Sequence, residues 1–169
     1  FKKTGLVVGT LILSATSFAQ QSQLSLFDLK DVKLHKSLFE EAMFTDLDYI
    51  MQMDPDRLLA PFLREAGLEP KAESYPNWEN TGLDGHIGGH YLTALAQMYA
   101  SAGSEKALER LNYMIAELKK AQDANGNGYV GGIPESDRIW KEISEGKINA
   151  GGFSLNGGWV PLYNIHKTY

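Results

Sequence analysis

The chain has 169 residues, 21 acidic against 16 basic side chains, a formal charge of −5 and a hydrophobic share of 43%. Those values suit one soluble globular domain with a sizeable core, and the acidic balance argues against a nucleic-acid backbone as partner. The lack of cysteine excludes disulfides, thiolate metal sites and a cysteine nucleophile within these residues.

Lys2 and Lys3 precede the apolar run Thr4 to Leu13, and small residues follow from Ser14 to Ala19. Basic, apolar, then small is the order of a secretory signal peptide, here residues 1–19 with cleavage after Ala19. A membrane-spanning helix needs about 20 apolar residues, more than this run supplies. Removing the segment takes away two lysines and no acid, which leaves 14 basic against 21 acidic side chains and a charge of −7. No later apolar run is long enough to span a bilayer, so the expectation is an exported protein, periplasmic or secreted, with no stable membrane insertion after cleavage. Because the first residue is Phe1 and Tyr169 falls inside an aromatic, histidine-bearing segment, the sequence is expected to be part of a longer protein.

Residues 20–36 read as a linker or extended segment, and the partial alternation from Leu24 to Leu34 suits one edge strand or an extended run. From Ser37, Leu38, Ala42, Phe44, Leu47, Ile50 and Met51 trace a helical face that Asp54-Pro55 ends. Pro55 to Ala60 and Pro61 to Gly67 suggest one or two short helical turns with Gly67 as the cap. After a loop from Leu68 to Asn80, Ile87, Tyr91, Leu92, Leu95, Met98 and Tyr99 give a helical stripe that stops at Gly103. Ser104 then caps a long amphipathic helix whose inner face carries Leu108, Leu111, Met114, Ile115 and Leu118. Ser136 to Glu145 predicts another helix and Gly146 to Gly158 another loop, followed by a helix start near Trp159. Helices alternating with glycine-rich loops point to an all-α stack of helical hairpins that presents its loops at one end.

Three segments invite chemistry. Asp123-Ala124-Asn125-Gly126-Asn127-Gly128 imitates the start of a calcium loop, but the place of the bidentate glutamate holds Pro134, so it reads as a turn. His86 and His90 stand four apart, as metal ligands on one helix do, yet Ile87-Gly88-Gly89 between them lacks the glutamate of a metalloprotease. His86 therefore suits a polar pocket at a helix start, and His90 a place beside it or a satisfied place in the core. The stretch Trp78 to Leu92 crowds four glycines, Glu79, Asp84 and these histidines before an apolar helix, as a binding loop does. Trp159 to Tyr169 repeats the theme with His166. Together with Trp78 and Tyr129 these segments offer ring faces beside hydrogen-bonding groups, a combination that suits sugars. Either tryptophan could equally be packing between hairpins.

The ordered series Asp54 to Leu59, Trp78-Glu79, Leu83 to Ala96, Gly128-Tyr129 and Trp159 to Lys167 resembles the N-terminal part of glycoside hydrolase family 127 and its relative family 146, the β-L-arabinofuranosidase-like enzymes. The resemblance implies an incomplete (α/α)6 toroid over residues 37–169, with a β-sandwich expected only further along the protein. It implies a retaining hydrolase that removes terminal β-L-arabinofuranosyl or related units from plant-type glycans, with a cysteine nucleophile near zinc and a glutamate acid/base. With no cysteine here, no catalytic residue and no zinc ligand is assigned to these positions, and zinc in the full-length protein would take ligands outside this chain. His166, in its Asn-Ile-His-Lys context, is similar to a family histidine that contacts the sugar. His86 and Tyr129 are expected at the pocket end, with Trp78, Glu79 and Asp84 shaping or bracing it. The alternatives are a noncatalytic glycan-binding toroid and an α/α polysaccharide lyase.

Overall fold

The computed structural model describes residues 25–169, so the signal segment read at 1–19 lies outside the described residues. Six helices dominate: α1 (Leu38–Gln52), α2 (Pro55–Glu65), α3 (His86–Ala102), α4 (Glu105–Asn125), α5 (Ser136–Ser144) and α6 (Pro161–Ile165). Local chemistry sets most of their ends. The Ser37 and Ser104 hydroxyls accept the amides of Glu40 and Ala107, and Asp54 accepts from Asp56 with Pro55 at the first helical position. Gly103 and Gly126, in the left-handed region, close α3 and α4.

α1 packs on α3, α2 on α4, and α3 on α4, which makes a layered set of antiparallel hairpins. Leu58, Leu59, Phe62, Leu95, Met114, Ala107 and Ala121 form its core with Tyr91. At the end where α1 turns into α2, Arg110 donates to the carbonyls of Met51 and Met53 and to the Tyr91 hydroxyl. That hydroxyl in turn donates to the Ile50 carbonyl, so the last turn of α1 is satisfied by side chains of α3 and α4. No helix among the described residues is long and apolar enough to cross a membrane.

Several expectations are corrected. Residues 25–37 form no strand; the segment is irregular apart from a 3-10 turn at Leu29–Asp31, and the extended option holds at Asp28 and Val32. The turns expected on either side of Pro61 are one 11-residue helix, because Pro61 sits in its buried interior where packing outweighs the missing amide. The loop after α5 contains three two-residue strands, β1 (Ala150–Gly151), β2 (Ser154–Leu155) and β3 (Gly158–Trp159), antiparallel in that order. Asn156 holds this meander from within: its side chain accepts the Asn149 amide and donates to Glu142 and to the Lys147 carbonyl. Ile115 is half exposed instead of facing inward, while Met114 and Leu118 are buried as expected, together with Ala107 and Ala121.

The gathering of loops at one end does appear. The C-terminal end of α2 reaches the residue before Gly85 through Arg64 and Asp84, and the segment after α4 lays Gly132 against Gly85. Asn164 of α6 donates to the Asp84 carbonyl. On the flank below, Gly89 lets α3 and α6 meet, because a Cβ there would lie 2.5 Å from the Lys167 carbonyl oxygen.

Gly89→Ala is therefore expected to lower unfolding stability by about 1–3 kcal/mol despite the better helix propensity of alanine. Thr93→Ala, at an exposed position of the same helix, should change it by less than about 0.7 kcal/mol. Urea unfolding of both variants checks the pair; equal stabilities would remove the close-packing argument.

Candidate functional site

α3 starts without a capping side chain of its own, since the residue before it is Gly85 at φ +86°. Glu79, in the 3-10 turn Asn77–Asn80, supplies the missing acceptor. Its buried carboxylate takes the Gly85 amide at 3.0 Å and the Ile87 amide at 2.6 Å. Burial is the main cause that pushes its pKa up, to about 7, against the opposing pull of those amides.

Asp84 fixes the same loop from the other side. One carboxylate oxygen accepts the Gly82 amide at 2.8 Å and the other meets the Arg64 guanidinium at 2.6 Å. With Asn164 bonded at 2.9 Å to its main-chain oxygen, Asp84 ties the loop to both α2 and α6. The gain from that ion pair is modest for the half-exposed arginine. The buried carboxylate, however, is left without a charge partner if Arg64 is removed.

On this support stands a cluster of rings. His86 is buried, and its ring stacks on Tyr163 with centroids 5.2 Å apart and planes at 25°. His90, one turn on, meets it edge to face at 4.8 Å, and Trp78 does so at 5.9 Å. His166 lies 5.4 Å from Tyr163, whose ring carries the Lys167 ammonium 4.7 Å above its centre. The Nδ1 atom of His86 is buried and has no hydrogen-bond partner. Burial foremost, then His90, Lys167 and His166 nearby, lowers the His86 pKa; burial and the same two neighbours, Lys167 and His166, lower that of His90. Both imidazoles are thus neutral at neutral pH, each with one donor and one acceptor.

The arrangement brings together His86, His90, Trp78 and His166, and adds Tyr163 and Lys167, which sequence reasoning did not single out. The repeat of aromatic and basic residues after Trp159 was the available signal. His90 is exposed beside His86, not satisfied in the core. Glu79 and Asp84 brace the cluster, consistent with a hydrogen-bonding role for Glu79. Tyr129 sits elsewhere, at a separate cavity with Trp140, 6.2 Å between ring centres. The turn before it is held by Asn125 donating to the Tyr129 carbonyl and Asn127 accepting its amide, as a structural turn requires. Among the described residues no three His, Asp or Glu side chains gather in a way that could hold a metal ion.

The raised pKa of Glu79 has a definite sign. The folded protein holds that proton more tightly than the unfolded chain, so the contribution to stability is full below about pH 4.5 and is lost as pH rises towards about 7. Glu79→Gln should abolish this component. Because the two lowered histidines act in the opposite direction, the measurement is the difference in unfolding free energy between wild type and variant from pH 5 to 8. That difference should drift by up to ~1.4 kcal/mol per pH unit below pH 7 and level off above it; a flat difference would contradict the shift.

The sequence profile described as β-L-arabinofuranosidase, GH127 catalytic domain, matches residues 31–169. No curated protein gives a significant match to the chain. Helical hairpins with their loops collected at one end are what the toroid of that family requires of this region. The chain belongs to the β-L-arabinofuranosidase-like family, glycoside hydrolase family 127, whose members are glycosidases acting on arabinofuranosides.

Proposed function

We propose that this chain forms the sugar-recognition part of an exported glycosidase that removes terminal β-L-arabinofuranosyl or closely related units from plant-type glycans. The grouping of His86, His90, Tyr163 and His166 on a braced helix end, with Trp78 alongside, carries the reading. Imidazole nitrogens can donate to or accept from hydroxyls, and the half-exposed rings of Trp78 and Tyr163 suit the C–H faces of a sugar. In this reading residues 1–19 direct export, 20–36 link, and 37–169 supply the first hairpins of the toroid.

His166 contacts the sugar, while His86 is held too deep to do more than orient its neighbours. Glu79 and Asp84 are committed to backbone amides and Arg64, so their role is to position the loop and not to serve the leaving group. The residues present do not fit zinc, since the chain has no cysteine and the described residues hold no ligand cluster. A nucleophile, an acid/base and any zinc ligands therefore come from outside these residues in a retaining mechanism.

The test is hydrolysis of a β-L-arabinofuranoside by the full-length protein, with and without a zinc chelator. Cleavage with retained anomeric configuration is expected; no cleavage of any related furanoside or pyranoside would sink the proposal, and unsaturated products would point to a lyase instead. His166→Ala should lower kcat/KM at least ~10-fold, the worth of a lost hydrogen bond to a sugar hydroxyl, with an unchanged melting profile. Unaltered turnover would reject the assignment of His166.

A further inference from the structure

One sizeable cavity among the described residues is not at the histidines. It measures about 690 Å³ and lies between the C-terminal ends of α2 and α4 and one face of α5. We propose that it is a second carbohydrate subsite, taking a neutral sugar unit further along the glycan whose terminal unit lies against the histidine cluster. The proposal rests on the sugar-binding reading of that cluster.

Size and lining both favour a sugar. The volume falls in the range of small-ligand pockets, roughly 300–1,000 Å³. The rings of Tyr129 and Trp140 meet at 59° and make an apolar corner, while Glu65, Asn125, Asn127 and Lys141 offer hydrogen bonds around it. Such a mixture matches a ring with C–H faces and hydroxyl edges.

The Tyr129 hydroxyl and the Trp140 indole Nε1 are buried beside Ser136 and turned toward each other, so both polar edges point inward and the ring faces are left to the cavity.

The charge balance selects a neutral unit. Glu65 and Asp137 line the cavity with Lys141 as the cation, so a uronate or sulfate would meet more repulsion than attraction. The start of α5 does not invite an anion either, because the amides of Glu135 and Ser136 face the Glu65 carboxyl, whose pKa burial raises. Position links the cavity to the first site: Arg64, next to Glu65, bonds Asp84 two residues before His86, and Gly132 packs against Gly85. The two sites stand on either side of the Asp84–Gly85 segment.

The proposal is tested by NMR on the full-length, 15N-labelled protein titrated with L-arabinose and with an arabinofuranosyl oligosaccharide. The oligosaccharide should shift the Trp140 indole and the Asn125 and Asn127 side-chain amides saturably, together with signals from His166. Asn127→Ala should weaken oligosaccharide binding about 5-fold, as loss of one neutral hydrogen bond does. Shifts at His166 alone would overturn the second subsite while leaving the proposed function intact. Shifts at the cavity alone would support the subsite and count against the histidine assignment. With no shift at either, the subsite fails, and hydrolysis by the same preparation decides separately whether the glycosidase reading survives.

Discussion

Everything at the ring cluster depends on one carboxylate satisfying a helix start that cannot satisfy itself. Gly85 precedes α3 because the chain must pass within van der Waals reach of Phe62 and Gly132 there, with φ at +86°. A serine or aspartate at that position would have capped the helix but would not fit. The acceptor comes instead from Glu79, six residues earlier, folded back in a 3-10 turn. Because the carboxylate bonds both Gly85 and Ile87, it fixes the backbone on either side of His86. The direction in which that imidazole points is thus a property of Glu79 as much as of its own rotamer.

The bracing also explains why this region of the chain can be rich in buried charge and still be ordered. Glu79 and Asp84 are both buried within a few residues of each other, and the charge of Asp84 adds to the cost that burial sets on ionising Glu79. That cost is met by directed donors: two amides for one, an amide and a guanidinium for the other. A polar network of this kind is stable only when complete. The rings it supports then need few further constraints, since stacking on Tyr163 and the edges of His90 and Trp78 hold His86 laterally.

Much of this was legible from residue order. Ser104 and Gly103 announced their helix ends, because capping is a local matter of one side chain or one positive φ. The family motifs directed attention to the two segments whose rings meet, since His86 and His166 both lie against Tyr163. What escaped was set by distant partners. Pro61 stays helical only because its neighbours on α2 are buried, and the two-residue strands depend on Asn156 as an internal hub. Non-glycine residues at positive φ, Glu135 at 57° and Val160 at 37°, are imposed by the elements they join and leave no mark in composition. Tyr129 looked like a partner of the histidines because both lie in glycine-rich loops, yet the loop after α4 turns its ring toward α5. Shared composition predicted a shared end of the molecule, not a shared cavity.

The bond from Asn164 to the Asp84 carbonyl spans 80 residues. Contacts that close so long a loop are entropically costly and form after local ones. The hairpins of α1 to α4 contain the core and can pack while α6 is still undocked, but Tyr163, His166 and Lys167 reach the histidines of α3 only when α6 seats on Asp84 and Gly89. In a chain made from its N-terminus, the ring cluster therefore forms after the hairpins of α1 to α4. Up to that moment the hairpins are packed in their interior while the rings on α3 still lack half of their neighbours.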